Sequence, residues 1–124
     1  MEKIKEMYDT LCSTPSDINE HLPTLFKYAQ ECNSAINAGV KGYNSMWALA
    51  YGLLMGNNND SNKKLLLNDF DECNVESLLT ATLVENIKID CIWKNTLLLD
   101  LNETYDLTFI DTWHVYGQLK RELE

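Results

Sequence analysis

The chain has 124 residues, a length that supports one domain around a single core. Its 45% hydrophobic content sets it apart from disordered chains, and its formal net charge of −9 disfavours a polyanionic partner such as DNA or RNA. No segment approaches the roughly 18 apolar residues of a membrane span, and the start, "MEKIKEMYDTLC", reads as an amphipathic helix and not a signal peptide.

Ile4, Met7, Tyr8 and Leu11 recur at i, i+3, i+4 and i+7, so residues 2 to 12 are expected to form a helix with one buried stripe. "STPSD" breaks it, with Pro15 placed for a turn or a new first helical position. Leu22, Leu25, Phe26 and Ala29 stripe a second helix, with Pro23 in its first turn. "NSAIN" is then a short buried strand ended by Gly39. Met46, Leu49, Ala50, Leu53 and Leu54 mark an apolar helix closed by Gly56 and "NNNDSN".

"KKLLLND" reads as a second buried strand, and Val75, Leu78, Leu79, Thr82 and Leu83 as the next helix. Ile87, Ile89, Cys91 and Trp93 alternate with mostly polar residues, which is the period of a strand. "YDLTFID" is a fourth strand ending in Asp111, and Val115, Leu119 and Leu123 stripe a last helix. Cys12, Cys32, Cys73 and Cys91 form no C-x-x-C pair and read as buried free thiols of a reducing, cytoplasmic setting.

Strands that alternate with helices imply a parallel sheet covered on both faces. The expectation is therefore one α/β domain over residues 1–124, with N-terminal helices in 1–33 and an alternating core in 34–124. Right-handed crossovers make it Rossmann-like and doubly wound, with four strands in the order 3-2-1-4.

Ligands of such sheets bind beyond the carboxyl ends of the strands. Four groups collect there. The first runs from Asn37 through Gly39, Lys41 and Gly42 to Ser45, where the glycines permit a sharp turn and a close backbone approach. The second is Asn68 to Asp71. Asp69 is placed either to accept two ribose hydroxyls or to cap the next helix, and Asp71 to cap it. The third holds Asn95 and Thr96; Asn95 either meets an adenine edge or closes a turn. The fourth holds Asp111, Thr112, Trp113 and His114. There a carboxylate and an imidazole either move a proton or belong to a helix cap beside a surface histidine. His21 has no partner that the sequence identifies, and no Cys/His spacing fits a zinc site, so no metal is expected.

Taken together these groups resemble the class I S-adenosylmethionine-dependent methyltransferases. Small members of that family read roughly E-x-G-V-x-x-x-x-S-T-W-A-L at the first loop and D-L-L-F-I-D-T-x-H-x-Y at the fourth strand. The matching stretches are "NAGVKGYNSMWAL" (37–49) and "YDLTFIDTWHVYGQLKREL" (105–123), and "TPSDINEHLPTLFKYAQEC" (14–32) is similar to the helices before the first strand. The resemblance implies S-adenosylmethionine as cofactor and a methyl acceptor whose identity it leaves open. It implies that Gly39, with Asn37, Lys41 and Ser45 around it, approaches the methionine part. Asp69 would bind the ribose, Asn95 and Thr96 would stand near the adenine, and Asp111 with His114 would face the methyl and the acceptor.

Three departures bear on that reading. Asn37 stands where the family carries Glu, so no charge meets an ammonium group. Met46 stands where Thr follows Ser45. The family continues through three further strands beyond the helix after strand four. With strand four as an open edge, self-association through that edge or the last helix is expected. A catalytically silent binding or scaffold protein on the same fold is the alternative. A nicotinamide oxidoreductase fits less well, because G-x-G-x-x-G is not met by Gly39-Val40-Lys41-Gly42.

Overall fold

The structure is a computed structural model that describes residues 1–15, 19–40, 43–56, 63–69, 72–93 and 105–110. Helix α1 spans Glu2–Ser13 and α2 spans Leu22–Ala29, the latter entered through a 3-10 turn at Asn19–His21. Strand β1 (Ser34–Ala38) leads to α3 (Ser45–Met55), β2 (Lys63–Asp69), α4 (Glu76–Ala81), β3 (Ile87–Trp93) and β4 (Leu107–Ile110). The expected final helix and Asp111 lie outside the described residues.

The four strands form one all-parallel sheet in the order β3-β2-β1-β4. The fold is therefore α/β and Rossmann-like, as the alternation of periods requires. Winding runs outward from β1 through β2 to β3, then returns to the far side of β1, so the direction switches between β1 and β4. Alternate residues of the central strands face opposite layers. Ala35, Leu65 and Leu67 join the helical core, while Ile36, Ala38 and Leu66 are buried outside that cluster. Both faces are thus covered at the sheet centre, which is why β1 and β2 read as continuous apolar runs.

Helix α3 is the axis of the helical layer. Its residues Ser45–Leu53 are all buried, because α1 and α2 cover it on one side and the sheet on the other. Full burial of side chains such as Leu22, Leu49, Leu53 and Leu65 stabilises the core by about 1.5–3 kcal/mol each. Tyr8, Phe26 and Tyr51 join α1, α2 and α3, with ring centroids 4.9–5.2 Å apart. Burial, then the contact with Cys12, pushes the Tyr8 phenol well above its ordinary value.

Backbones of α2 and α3 approach closely at two glycines. A Cβ on Gly52 would lie 2.6 Å from both the Ala29 Cβ and the Phe26 carbonyl oxygen, and one on Gly56 would lie 2.6 Å from the Gln30 carbonyl oxygen. Gly56 does follow α3, but with φ −63° it makes no left-handed turn. The absence of a side chain against Gln30 explains it, not the conformational freedom that closes many helices.

Three further expectations need correction. Helix α4 ends at Ala81, sooner than a stripe reaching Leu83 predicts. The Thr82 hydroxyl donates to the Leu78 carbonyl at 2.8 Å, and Leu83 and Val84 turn outward, 81% and 87% exposed. Strand β4 begins at Leu107; Tyr105 and Asp106 precede it. The four cysteines are free, but only Cys73 is buried. Cys12 and Cys32 are half-buried and Cys91 is exposed, because β3 lies at the sheet margin.

Candidate functional site

Because all four strands are parallel, their carboxyl ends share one rim: Ala38 of β1, Asp69 of β2, Trp93 of β3 and Ile110 of β4. In register, Ala38 stands beside both Asn68 and Ile110, and Asp69 stands beside Trp93. The β1 loop leaves this rim at the winding switch, where open α/β sheets hold ligands.

Gly39 continues the strand pairing for one residue, its N–H donating to the Asn68 carbonyl at 2.8 Å. It then turns at φ 101°, a conformation that strains any residue with a Cβ. The next N–H, that of Val40, donates to Asp69 Oδ2 at 2.8 Å. The carboxylate ending β2 therefore clasps the β1 loop. That bond joins residues 29 apart and is neither of the two roles weighed for Asp69 from sequence. A carboxylate acceptor makes it one of the stronger hydrogen bonds available to a backbone N–H.

The loop closes as a turn, with the Tyr43 N–H on the Val40 carbonyl at 2.8 Å. Tyr43 has φ 61°, and its hydroxyl oxygen accepts from the Asn74 N–H at 3.3 Å, tying the loop to the approach of α4. A non-glycine residue at positive φ is uncommon and marks a constrained turn. No pattern in the sequence singled out Tyr43 or Asn74.

Asn37 and Ser45, both among the expected cofactor contacts, bond to each other. The Asn37 amide donates to Ser45 Oγ at 2.9 Å, and the hydroxyl donates back to Asn37 Oδ1 at 3.2 Å. Asn37 is 0% and Ser45 3% exposed. The pair joins the end of β1 to the first turn of α3, so in this structure it shapes the loop from beneath and presents no atom to solvent at Asn37. This neutral, reciprocal pair satisfies two buried polar groups that would otherwise cost free energy. A spacing of eight residues across a turn carries no periodic signal, which is why sequence reading did not pair them.

Asn68, fully buried, extends its amide to the Ile92 carbonyl at 2.8 Å and fastens the rim between β2 and β3. The rim thus brings together Gly39, Asp69 and the Asn37–Ser45 pair. Lys41, Asn95, Thr96, Asp111 and His114 lie outside the described residues, as do Asp71 and Trp113. Among the described residues, no three His, Cys, Asp or Glu side chains are grouped to hold a metal ion. His21 is exposed in the 3-10 turn before α2, far along the chain from the rim residues.

One carboxylate stands at the tip of β2, and Gly39 leaves the β1 loop without a Cβ at its sharpest point. At Asn37 the chain offers an amide already committed to Ser45. No protein-family model, no curated protein and no solved structure matches this chain.

Proposed function

We propose that this rim is the nucleoside-binding edge of a methyltransferase-type domain, with S-adenosylmethionine as its cofactor. The observation that carries the reading is the clasp between the Asp69 carboxylate and the Val40 N–H, beside the turn of Gly39. It holds an acidic group within one hydrogen bond of the loop whose sharpest residue, Gly39, has no side chain. Asp69 would accept the ribose hydroxyls while keeping the loop in place. When bound, the cofactor supplies an electrophilic methyl on a sulfonium. The protein's task is then to hold donor and acceptor in line. Asp111 and His114 are the groups proposed to take the acceptor's proton.

A second reading is favoured by one specific feature. The buried, neutral Asn37–Ser45 pair brings no charge toward the ammonium end of the cofactor. A catalytically silent binder, or a scaffold without ligand, follows from it. The free cysteines support a reducing, cytoplasmic setting for either reading. Among the described residues no helix is long and apolar enough to cross a membrane.

Calorimetry and thermal shift with S-adenosylmethionine and S-adenosylhomocysteine separate these readings. The expected result is saturable stabilisation of the parent chain that Asp69→Asn abolishes. Asparagine keeps an acceptor for the Val40 N–H but cannot take two hydroxyls. Equal stabilisation of parent and variant removes Asp69 from the site. Binding with no methyl transfer to any acceptor offered selects the silent binder, and no binding at millimolar ligand leaves only the scaffold.

A further inference from the structure

The sheet has two margins, and β3 is the longer: seven residues against the four of β4. Strand β3 pairs with β2 along its whole length, and among the described residues no strand pairs with its other edge. Long unpaired edges recruit further strands unless something forbids it. A run of one charge sign forbids it by repulsion. Here the outward row carries Lys88 and Asp90, one of each sign, with side chains 68% and 48% exposed and 3.9 Å apart.

We propose that β3 is the surface through which a second copy of this chain docks, antiparallel, about a twofold axis at Ile89. In that register Lys88 faces the partner's Asp90, and Asp90 faces the partner's Lys88. On the other face Ile89 meets the partner's Ile89, and the exposed Cys91 meets the partner's Ile87. Opposite charges directly across a strand pair stabilise it, and like charges there destabilise it. Moving the axis to Lys88 or to Asp90 sets like charges face to face, so the charges favour the axis at Ile89 over those two registers. Leu83 and Val84, the two most exposed large apolar residues of the described chain, lie in the turn before β3. Each chain carries −9, a net repulsion that the local charge pairing must overcome. The sequence points to the edge of β4 or to the last helix for self-association; the proposal here concerns the edge of β3 and is independent of any cofactor.

Light scattering after size exclusion, at physiological salt across the micromolar range, tests it with the full chain. The parent is expected to be a dimer. Lys88→Asp and Asp90→Lys each place like charges opposite one another twice, and each is expected to weaken the dimer about tenfold. An equimolar mixture of the two variants restores complementarity and is expected to dimerise, as is the double swap. Both side chains are exposed, so melting curves of parent and variants, recorded at dilutions where the parent is monomeric, should match. A monomeric parent, single variants that stay dimeric, or a mixture that stays monomeric each overturn the proposal.

Discussion

The two ends of the sheet use the same kinds of residue for different purposes. At the amino end, side chains bind the strands to one another. Lys63, 5% exposed at the start of β2, donates from Nζ to Asn33 Oδ1 at 2.9 Å and to the Cys32 carbonyl at 3.2 Å. The Asn33 N–H donates to Asp106 Oδ2 at 2.9 Å, and the Asp106 N–H donates to Ser34 Oγ at 3.0 Å. These bonds link β2, β1 and the approach to β4. At the carboxyl end Asn68 still fastens β2 to β3, but the other polar groups shape a loop. Asp69 holds Val40, and Asn37 and Ser45 hold each other beneath it. The difference teaches that polar side chains at strand ends are informative only by partner. Bonds among the strand approaches at one end close the fold, while bonds into the β1 loop at the other shape a surface.

The largest test of this contrast is Lys63→Met. It leaves the acceptors of Cys32 and Asn33 without their buried cation and is expected to cost about 2 kcal/mol in urea unfolding. Any response to S-adenosylmethionine should persist, since the carboxyl rim is untouched. A variant as stable as the parent would show that the amino end is not a structural clasp. At the opposite end, Gly39→Ala forces a Cβ into φ 101° and is expected to cost about 1 kcal/mol. Here the ligand response should fall with the stability. Preserved binding with lost stability would assign the loop to folding alone.

The smallest effect is chemical. Burial, then the charges of Asp106 and Glu31, pushes the Cys32 thiol above its ordinary value. Asp106→Asn retains an acceptor for the Asn33 N–H but removes a negative charge. Alkylation of Cys32 at mildly alkaline pH, followed site by site with mass spectrometry, is expected to accelerate a few-fold. Cys91, whose thiol is raised by burial and by Asp90, should not change. Unchanged labelling at Cys32 would detach Asp106 from the amino-end cluster.

Much of the fold was legible because periodicity reports burial. "KKLLLND" coincides with β2 residue for residue, and the alternation from Ile87 to Trp93 coincides with β3. Periodicity overran α4, which ends at Ala81 before Leu83 and Val84 turn outward. It also gave no warning of Gly52, whose role lies in the neighbouring helix 23 positions away at Ala29. For the site, strand ends identified Gly39 and Asp69 as neighbours. What Asp69 does to Val40, and what Asn37 does to Ser45, depends on distances that only the folded chain fixes.

The placement of β4 has a consequence for synthesis. Strand β1 pairs with β2 on one side and, across some seventy intervening residues, with Leu107–Ile110 on the other. Helices α1, α2 and α3 of the helical layer lie within residues 1 to 56 and pack on one another. A ribosome must add β4 long after that layer can close. Until then the backbone N–H and C=O groups of Ala35–Ala38 on that side stand unpaired in the middle of a nascent sheet. A chain interrupted before Leu107 therefore leaves its central strand as a sticky margin, an attractive target for chaperones and for aggregation alike.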